Sequence, residues 1–178
     1  MMVDDEVMSD LRRCLRSIYD VCEECGADGA GVEFMGVKMS IRQLFELEVT
    51  AYLLCLTAAD GVFSEEEIAF VNELMGRDYS LEKCMRFVSE HRMASQSFTK
   101  SMPVSFKILV DWSASRGKDV SDVLLSFYAG LSAAMASSDD EIAKQEREVA
   151  KEYLHLLRGY KALKTAEREE LEERGEGQ

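Results

Sequence analysis

The sequence predicts an all-α fold: about seven helices in a pseudo-twofold bundle of two helix-turn-helix repeats, with a short β-hairpin near residues 32–39. Three observations carry this expectation. Apolar residues recur at three- and four-residue spacing along most of the 178 residues. The chain has a single proline, placed where a first helical turn tolerates it. A helix–acidic turn–helix pattern occurs twice, and repetition of that kind defines an architecture before any single element does.

The first helix is expected from about Asp4 to Cys25, with Leu11, Leu15, Ile18 and Cys22 on one stripe and acidic residues in its opening turn. Gly26-Ala-Asp-Gly-Ala-Gly31 is a flexible connector, and Val32 to Met39 alternates around Gly36 in the manner of a hairpin. Ser40-Ile-Arg-Gln43 is a capping box that opens a second helix reaching about Ala59, apolar almost all round from Val49 onward and therefore central. Ser64 and Glu67 form another capping box, and the third helix stops at Gly76. Ser80 caps a fourth helix to about Ala94, and a fifth runs from near Pro103 to Arg116 with Gly117 as its stop. Asp119 caps a sixth, to about Ser137, in which Ala129, Gly130, Ala133 and Ala134 allow close contact with neighbours. The seventh starts near Ile142 and carries Val149, Tyr153, Leu156, Tyr160 and Leu163 on one stripe. Beyond Thr165 there is no apolar face, so a solvated, frayed end is expected. In outline, residues 1–39 hold a helix and connector, 40–164 the repeat-bearing helical domain, and 165–178 an acidic tail.

Composition narrows the function. Apolar residues make up 47% and charged residues 31%, enough to bury a core and unlike a disordered chain. A net charge of −13 argues against the phosphate backbone of nucleic acids and against anionic lipid surfaces, and favours cations or basic protein surfaces as partners. The first residues carry acid where a secretory leader would carry positive charge, and the longest apolar stretch, Val49 to Ala59, falls well short of the roughly 20 residues that cross a bilayer. A cytoplasmic protein with no direct membrane insertion is expected. Five cysteines, one of them (Cys55) in a strongly apolar helix, suit reduced thiols better than a disulfide framework.

The repeat aligns Asp60 with Asp139. In each copy an apolar helix ends in small residues (Ala58-Ala59; Ser137-Ser138), an Asp follows, an apolar residue comes three later (Phe63; Ile142) and a Glu seven later (Glu67; Glu146). The pattern suggests two bent helix pairs related by a pseudo-twofold, with the second and sixth helices at the centre. The segment from Leu53 through Ala58-Ala-Asp-Gly61 to Glu67 resembles the signature of the TerB-like family, named for tellurite resistance, in which an Ala-Asp-Gly turn and a downstream Glu recur in both halves of an all-helical domain. The resemblance covers roughly residues 40 to 160. The second copy departs from it, with Asp140 in place of the glycine and Ala143 in place of the serine cap. What the resemblance implies is a cytoplasmic stress-associated protein without a known reaction, working with protein partners that include the cytoplasmic face of membrane proteins. It also implies clustered acidic residues that bind metal or partners, which map here onto Asp60, Glu67, Asp139 and Glu146.

Two readings of those acidic turns are open. A carboxylate at a helix C-terminus faces the negative end of the dipole, at a cost of about 0.3–1 kcal/mol unless something compensates. The turn itself can compensate, since Asp accepts backbone N–H groups two or three residues on and Ser64 with Glu67 is an ordinary capping box. Alternatively Asp60, Glu67 and free helix carbonyls hold a hard cation, Ca2+ or Mg2+, in an all-oxygen shell, with Asp139 and Glu146 as its counterpart. The EF-hand pattern is absent, so such a site would be weak and partly hydrated. No cofactor is called for outside the cation reading.

Other motifs carry less. Cys22-Glu-Glu-Cys25 offers two ligands where structural zinc wants four, and it closes a helix among acidic residues that raise thiol pKa, so it reads as ordinary reduced cysteine. His91 and His155 lie in no nucleophile motif, and the glycine-rich connector follows a helix and lacks the P-loop lysine. Trp112 and the ten methionines read as core filling. The sequence thus predicts a non-enzymatic acidic interaction module. The competing classes are a dedicated divalent-cation sensor or buffer and an enzyme with an unrecognised carboxylate site.

Overall fold

The computed structural model describes residues 4–29, 31–34, 36–57, 64–90, 100–135 and 142–175. Among them are seven helices and one hairpin: α1 (Asp5–Ala27), β1 (Gly31–Phe34), β2 (Val37–Ser40), α2 (Ile41–Thr57), α3 (Glu65–Met75), α4 (Leu81–Glu90), α5 (Val104–Ala114), α6 (Ser121–Met135) and α7 (Ile142–Gly175). The fold is an all-α bundle with a short β-hairpin, as the sequence predicts. No helix among the described residues is long and apolar enough to cross a membrane.

Local chemistry sets most of the boundaries. Asp4 Oδ1 accepts the Glu6 N–H at 3.0 Å and starts α1. The strands β1 and β2 pair antiparallel, Val32 opposite Met39, around Gly36, whose φ of 78° suits glycine. At Ser40 the expected box is complete: Gln43 N–H donates to Ser40 Oγ (3.1 Å) and Ser40 N–H to Gln43 Oε1 (2.9 Å). Gly76, with φ 62°, closes α3 in the left-handed conformation, its N–H returning to the Asn72 carbonyl. Asn72 then clasps the next turn through both faces of its amide, to Tyr79 O (2.9 Å) and from Tyr79 N–H (2.7 Å). Ser80 Oγ accepts the Lys83 N–H at 3.3 Å, and Asp119 Oδ1 accepts the Ser121 N–H at 2.8 Å, at the starts of α4 and α6.

Helix α2 is the axis of the bundle and touches each of the other six helices. Its Phe45 and Tyr52 meet Phe127 and Tyr128 of α6, with ring centroids 5.9 Å apart for the first pair and 5.4 Å for the second. Tyr153 of α7 stacks on Tyr52 at 4.4 Å, and Tyr52 Oη lies 2.7 Å from Ser132 Oγ of α6. The sixth helix thus lies against the second, where the sequence puts it. Helix α1 shares this core through Leu11, Leu15, Ile18, Cys22 and Cys25, and packs most extensively against α6. Gly130 lies tight against α1: a Cβ there would be 2.9 Å from Leu11 Cδ2. A smaller cluster of Leu54, Ile68 and Cys84 joins α2, α3 and α4.

On α7 the buried stripe is Ala150, Tyr153 and Leu157, while Leu163, expected on the core face, is exposed. The helix runs on to Gly175, beyond the point where the apolar face ends at Thr165. Ion pairs one turn apart support that extension: Lys164–Glu167 (2.9 Å), Arg168–Glu172 (2.9 Å) and Glu170–Arg174 (3.8 Å).

Candidate functional site

The acidic turns come first. Asp60 and Asp139, with the elbows they were expected to form, lie outside the described residues, as does His91. Glu146 belongs to α7, but its side chain is likewise outside them. Glu67 is described, and it is buried. Its Oε2 accepts from Ser64 N–H (2.8 Å) and Ser64 Oγ–H (2.9 Å), while its own N–H donates to Ser64 Oγ (3.1 Å). That is a closed capping box, so the bonds seen at Glu67 are those of a helix start. Among the described residues no group of three or more His, Cys, Asp or Glu side chains is placed to hold a metal ion.

Cys22 and Cys25 are interior residues of the α1 core face. Both are free thiols, and burial pushes Cys22 up to about 12 and raises Cys25 as well. Neither is a nucleophile in this setting. His155 is exposed on α7, and Trp112 packs at the edge of the core, its Nε1–H donating to Asp28 Oδ2 at 3.0 Å beneath the Arg116 guanidinium.

A different constellation stands out. Between α1, α2 and the end of α3 lies a depression of about 640 Å³ walled by four arginines: Arg12, Arg16, Arg42 and Arg77. Helix periodicity puts Arg12, Arg16 and Tyr19 on one side of α1 next to the buried Leu15. The first turns of α2 contribute Arg42 and Glu46, and the left-handed Gly76 turns the chain so that Arg77 faces Glu46. Arg12 Nη2 donates to Glu73 Oε1 (2.9 Å) and to the Glu73 carbonyl (3.3 Å), satisfying an acceptor at the end of α3. Arg42 donates to Glu46 Oε1 (3.2 Å) and to Glu23 Oε1 (2.9 Å), and its guanidinium stands 4.0 Å above the Tyr19 ring. Arg77 donates to Glu46 Oε2 at 2.7 Å. Arg16 makes no ion pair among the described residues. Tyr19 is held well above the ordinary phenol range by burial first and by the neighbouring Glu46 second.

Four guanidinium groups therefore face two carboxylates, Glu46 and Glu73, on a chain whose net charge is −13. The Arg12–Glu73 pair is exposed on both sides, and exposed ion pairs contribute only about 0–1 kcal/mol, so an incoming anion can exchange with Glu73 at small cost, whereas Glu46 is largely covered and held by both Arg42 and Arg77. Guanidinium forks match carboxylates and phosphates by shape as well as charge. A second, smaller depression of about 420 Å³ adjoins the first, sharing Glu46 and Arg77, and presents the exposed Val37 and Leu47.

Sequence reasoning missed this groove because its arginines come from three elements. Arg12, Arg16 and Tyr19 on one helical face were the available signal. It also missed Glu48 of α2, which is 2% exposed and reaches the start of α5. Glu48 Oε1 accepts the Val104 N–H (2.7 Å), and its Oε2 accepts the Ser105 N–H (2.9 Å) and the Ser105 hydroxyl. Burial raises its pKa above the ordinary 4.5, against the lowering by these hydrogen bonds. Glu48 is a helix cap supplied from another helix and is closed to solvent.

Comparison of the chain with protein-family models, curated proteins and solved structures finds no significant match in any of the three.

Proposed function

We propose that the protein is a non-enzymatic acidic interaction module of the TerB-like kind, acting in the cytoplasm on protein partners and not on nucleic acid. The observation that carries it is the arginine-walled groove: a concave, cationic surface on an acidic chain, open to solvent and built from side chains that recognise anions. The all-α bundle and the capped Ser64–Glu67 helix start agree with the resemblance on which the family part of the proposal rests. The two buried carboxylates among the described residues, Glu48 and Glu67, are both occupied as helix caps, which weighs toward an architectural role for them over acid–base chemistry.

Site-specific photocrosslinking in the native cell tests the proposal. A crosslinker at position 16, inside the groove, is expected to capture discrete protein adducts under stress, whereas one at Lys144, exposed on α7, captures few. Equal labelling from both positions, or none from position 16, would overturn the interaction reading. Capture of nucleic acid at position 16 would overturn the partner class.

A further inference from the structure

The groove has a complement on the same chain. Beyond Thr165 α7 is exposed through Arg174, and the stretch AEREELEERG to its end at Gly175 carries five Glu against two Arg. Within it Glu167, Glu170 and Glu172 are paired along the helix to Lys164, Arg174 and Arg168. Among the described residues Glu169 and Glu173 have no ion-pair partner, although they stand four residues apart on one face, where like charges destabilise a helix by a few tenths of a kcal/mol. That face continues through the exposed Ala162 and Ala166, small enough for another helix to lie close. The groove repeats the same spacing with opposite sign. Arg12 and Arg16 are four residues apart on α1, so a helix lying along α1 brings two carboxylates spaced about 5–6 Å apart against two guanidinium groups at the same interval.

We propose that the α7 extension of one copy docks in the arginine groove of a second copy, with Glu169 and Glu173 set against Arg16 and Arg12. This rests on the groove being an interaction surface and names an occupant for it. The contact is electrostatic and largely solvent-exposed, so it is weak and salt-sensitive, suited to reversible self-association that a more acidic or better-fitting segment displaces. Arg16 is the anchor because it has no ion-pair partner among the described residues to give up, whereas Arg12 exchanges Glu73 for the incoming carboxylate.

Analytical ultracentrifugation of the full-length chain at low and high salt reads this directly. The expected result is concentration-dependent association at low salt that is lost at high salt. Arg16→Glu, and separately Glu169→Lys with Glu173→Lys, each weaken it by about tenfold or more. Mixing the two variant proteins restores association, because one contributes an intact groove and the other an intact tail. All three positions are exposed, and circular dichroism confirms that the variants remain folded. A chain that stays monomeric at every concentration and salt, variants that associate like the wild type, or a mixture without recovery would each overturn the self-docking. Adducts to other proteins from position 16 would leave the interaction module standing in that case, so the two failures are distinguishable.

Discussion

Replacing Glu48 by Ala removes an acceptor that holds the opening of α5 from across the bundle. The Val104 and Ser105 N–H groups and the Ser105 hydroxyl lose their partner together, in a place where Ser105 is wholly buried. Loss of a cap costs about 0.5–2 kcal/mol, and each buried donor left unsatisfied about 1–3 kcal/mol. Removing a desolvated carboxylate returns part of that, so the net loss should be about 3 kcal/mol. For a chain of this size each kcal/mol moves Tm by roughly 2–4 °C, which puts the fall near 6–12 °C by calorimetry. Hydrogen exchange should accelerate at Val104 and Ser105 before it does in α2. The pH dependence has a definite sign. Burial raises the folded pKa of Glu48 above 4.5, so folding takes up a proton there. The associated stability is full below 4.5 and is lost as pH rises through the folded value. The stability gap between wild type and Glu48→Gln therefore widens as pH falls from neutral toward 4.5, with the other carboxylates cancelling in the difference. A Glu48→Ala protein melting within about 2 °C of wild type, or a gap that narrows on acidification, would refute the reasoning.

The remaining predictions concern packing, the acidic turn and the cysteine pair. Glu67→Ala should cost about 1 kcal/mol in chemical denaturation through loss of the capping box, while calorimetric heats with Ca2+ and Mg2+ stay as in the wild type; a heat abolished by both Glu67→Ala and Asp60→Ala would instead assign a cation to that turn. Gly130→Ala should fall within about 1 kcal/mol of wild type, since gained helix propensity offsets the displaced Leu11, whereas Gly130→Leu should lose more than about 2 kcal/mol in urea; wild-type stability for the latter would mean α1 and α6 are farther apart. Among the described residues the phenol oxygens of Tyr128 and Tyr153 are buried without a hydrogen-bond partner, so Tyr153→Phe should be neutral or stabilising, while Tyr52→Phe, which breaks the bond to Ser132, should cost about 1 kcal/mol. In native protein at mildly alkaline pH, Cys22 and Cys25 should resist a thiol reagent that labels the half-buried Cys14; rapid modification of the pair would contradict their burial.

What could be read from the sequence was what lies close along the chain. Ser40 with Gln43, Ser64 with Glu67, and Gly76 each act within three or four residues, so their spacing carries their structure. The core face of α1 followed from its periodicity for the same reason. Glu48 was obscure because its partner is 56 residues away. A signal did exist: Pro103 brings no side-chain cap to α5, and Glu48 stands just before the apolar run of a buried helix, so an uncapped start and a stranded carboxylate could have been matched. The groove was harder to see, since Arg42 and Arg77 join Arg12 and Arg16 only after three helices have packed. The persistence of α7 past Thr165 was underestimated for another reason: apolar periodicity says nothing about charge pairs such as Arg168–Glu172.

Among the described residues α2 is the post around which the other six helices stand, so a cut near the middle of the chain separates parts of one shared core. A break between residues 57 and 100 leaves α1 and α2 on one fragment and α5, α6 and α7 on the other, and the Tyr52–Ser132 and Glu48–Ser105 links fall across the cut. Such halves should be collapsed and unstructured when expressed separately, yet reconstitute the native spectrum when mixed. That behaviour would make the chain a natural candidate for split-protein reporters.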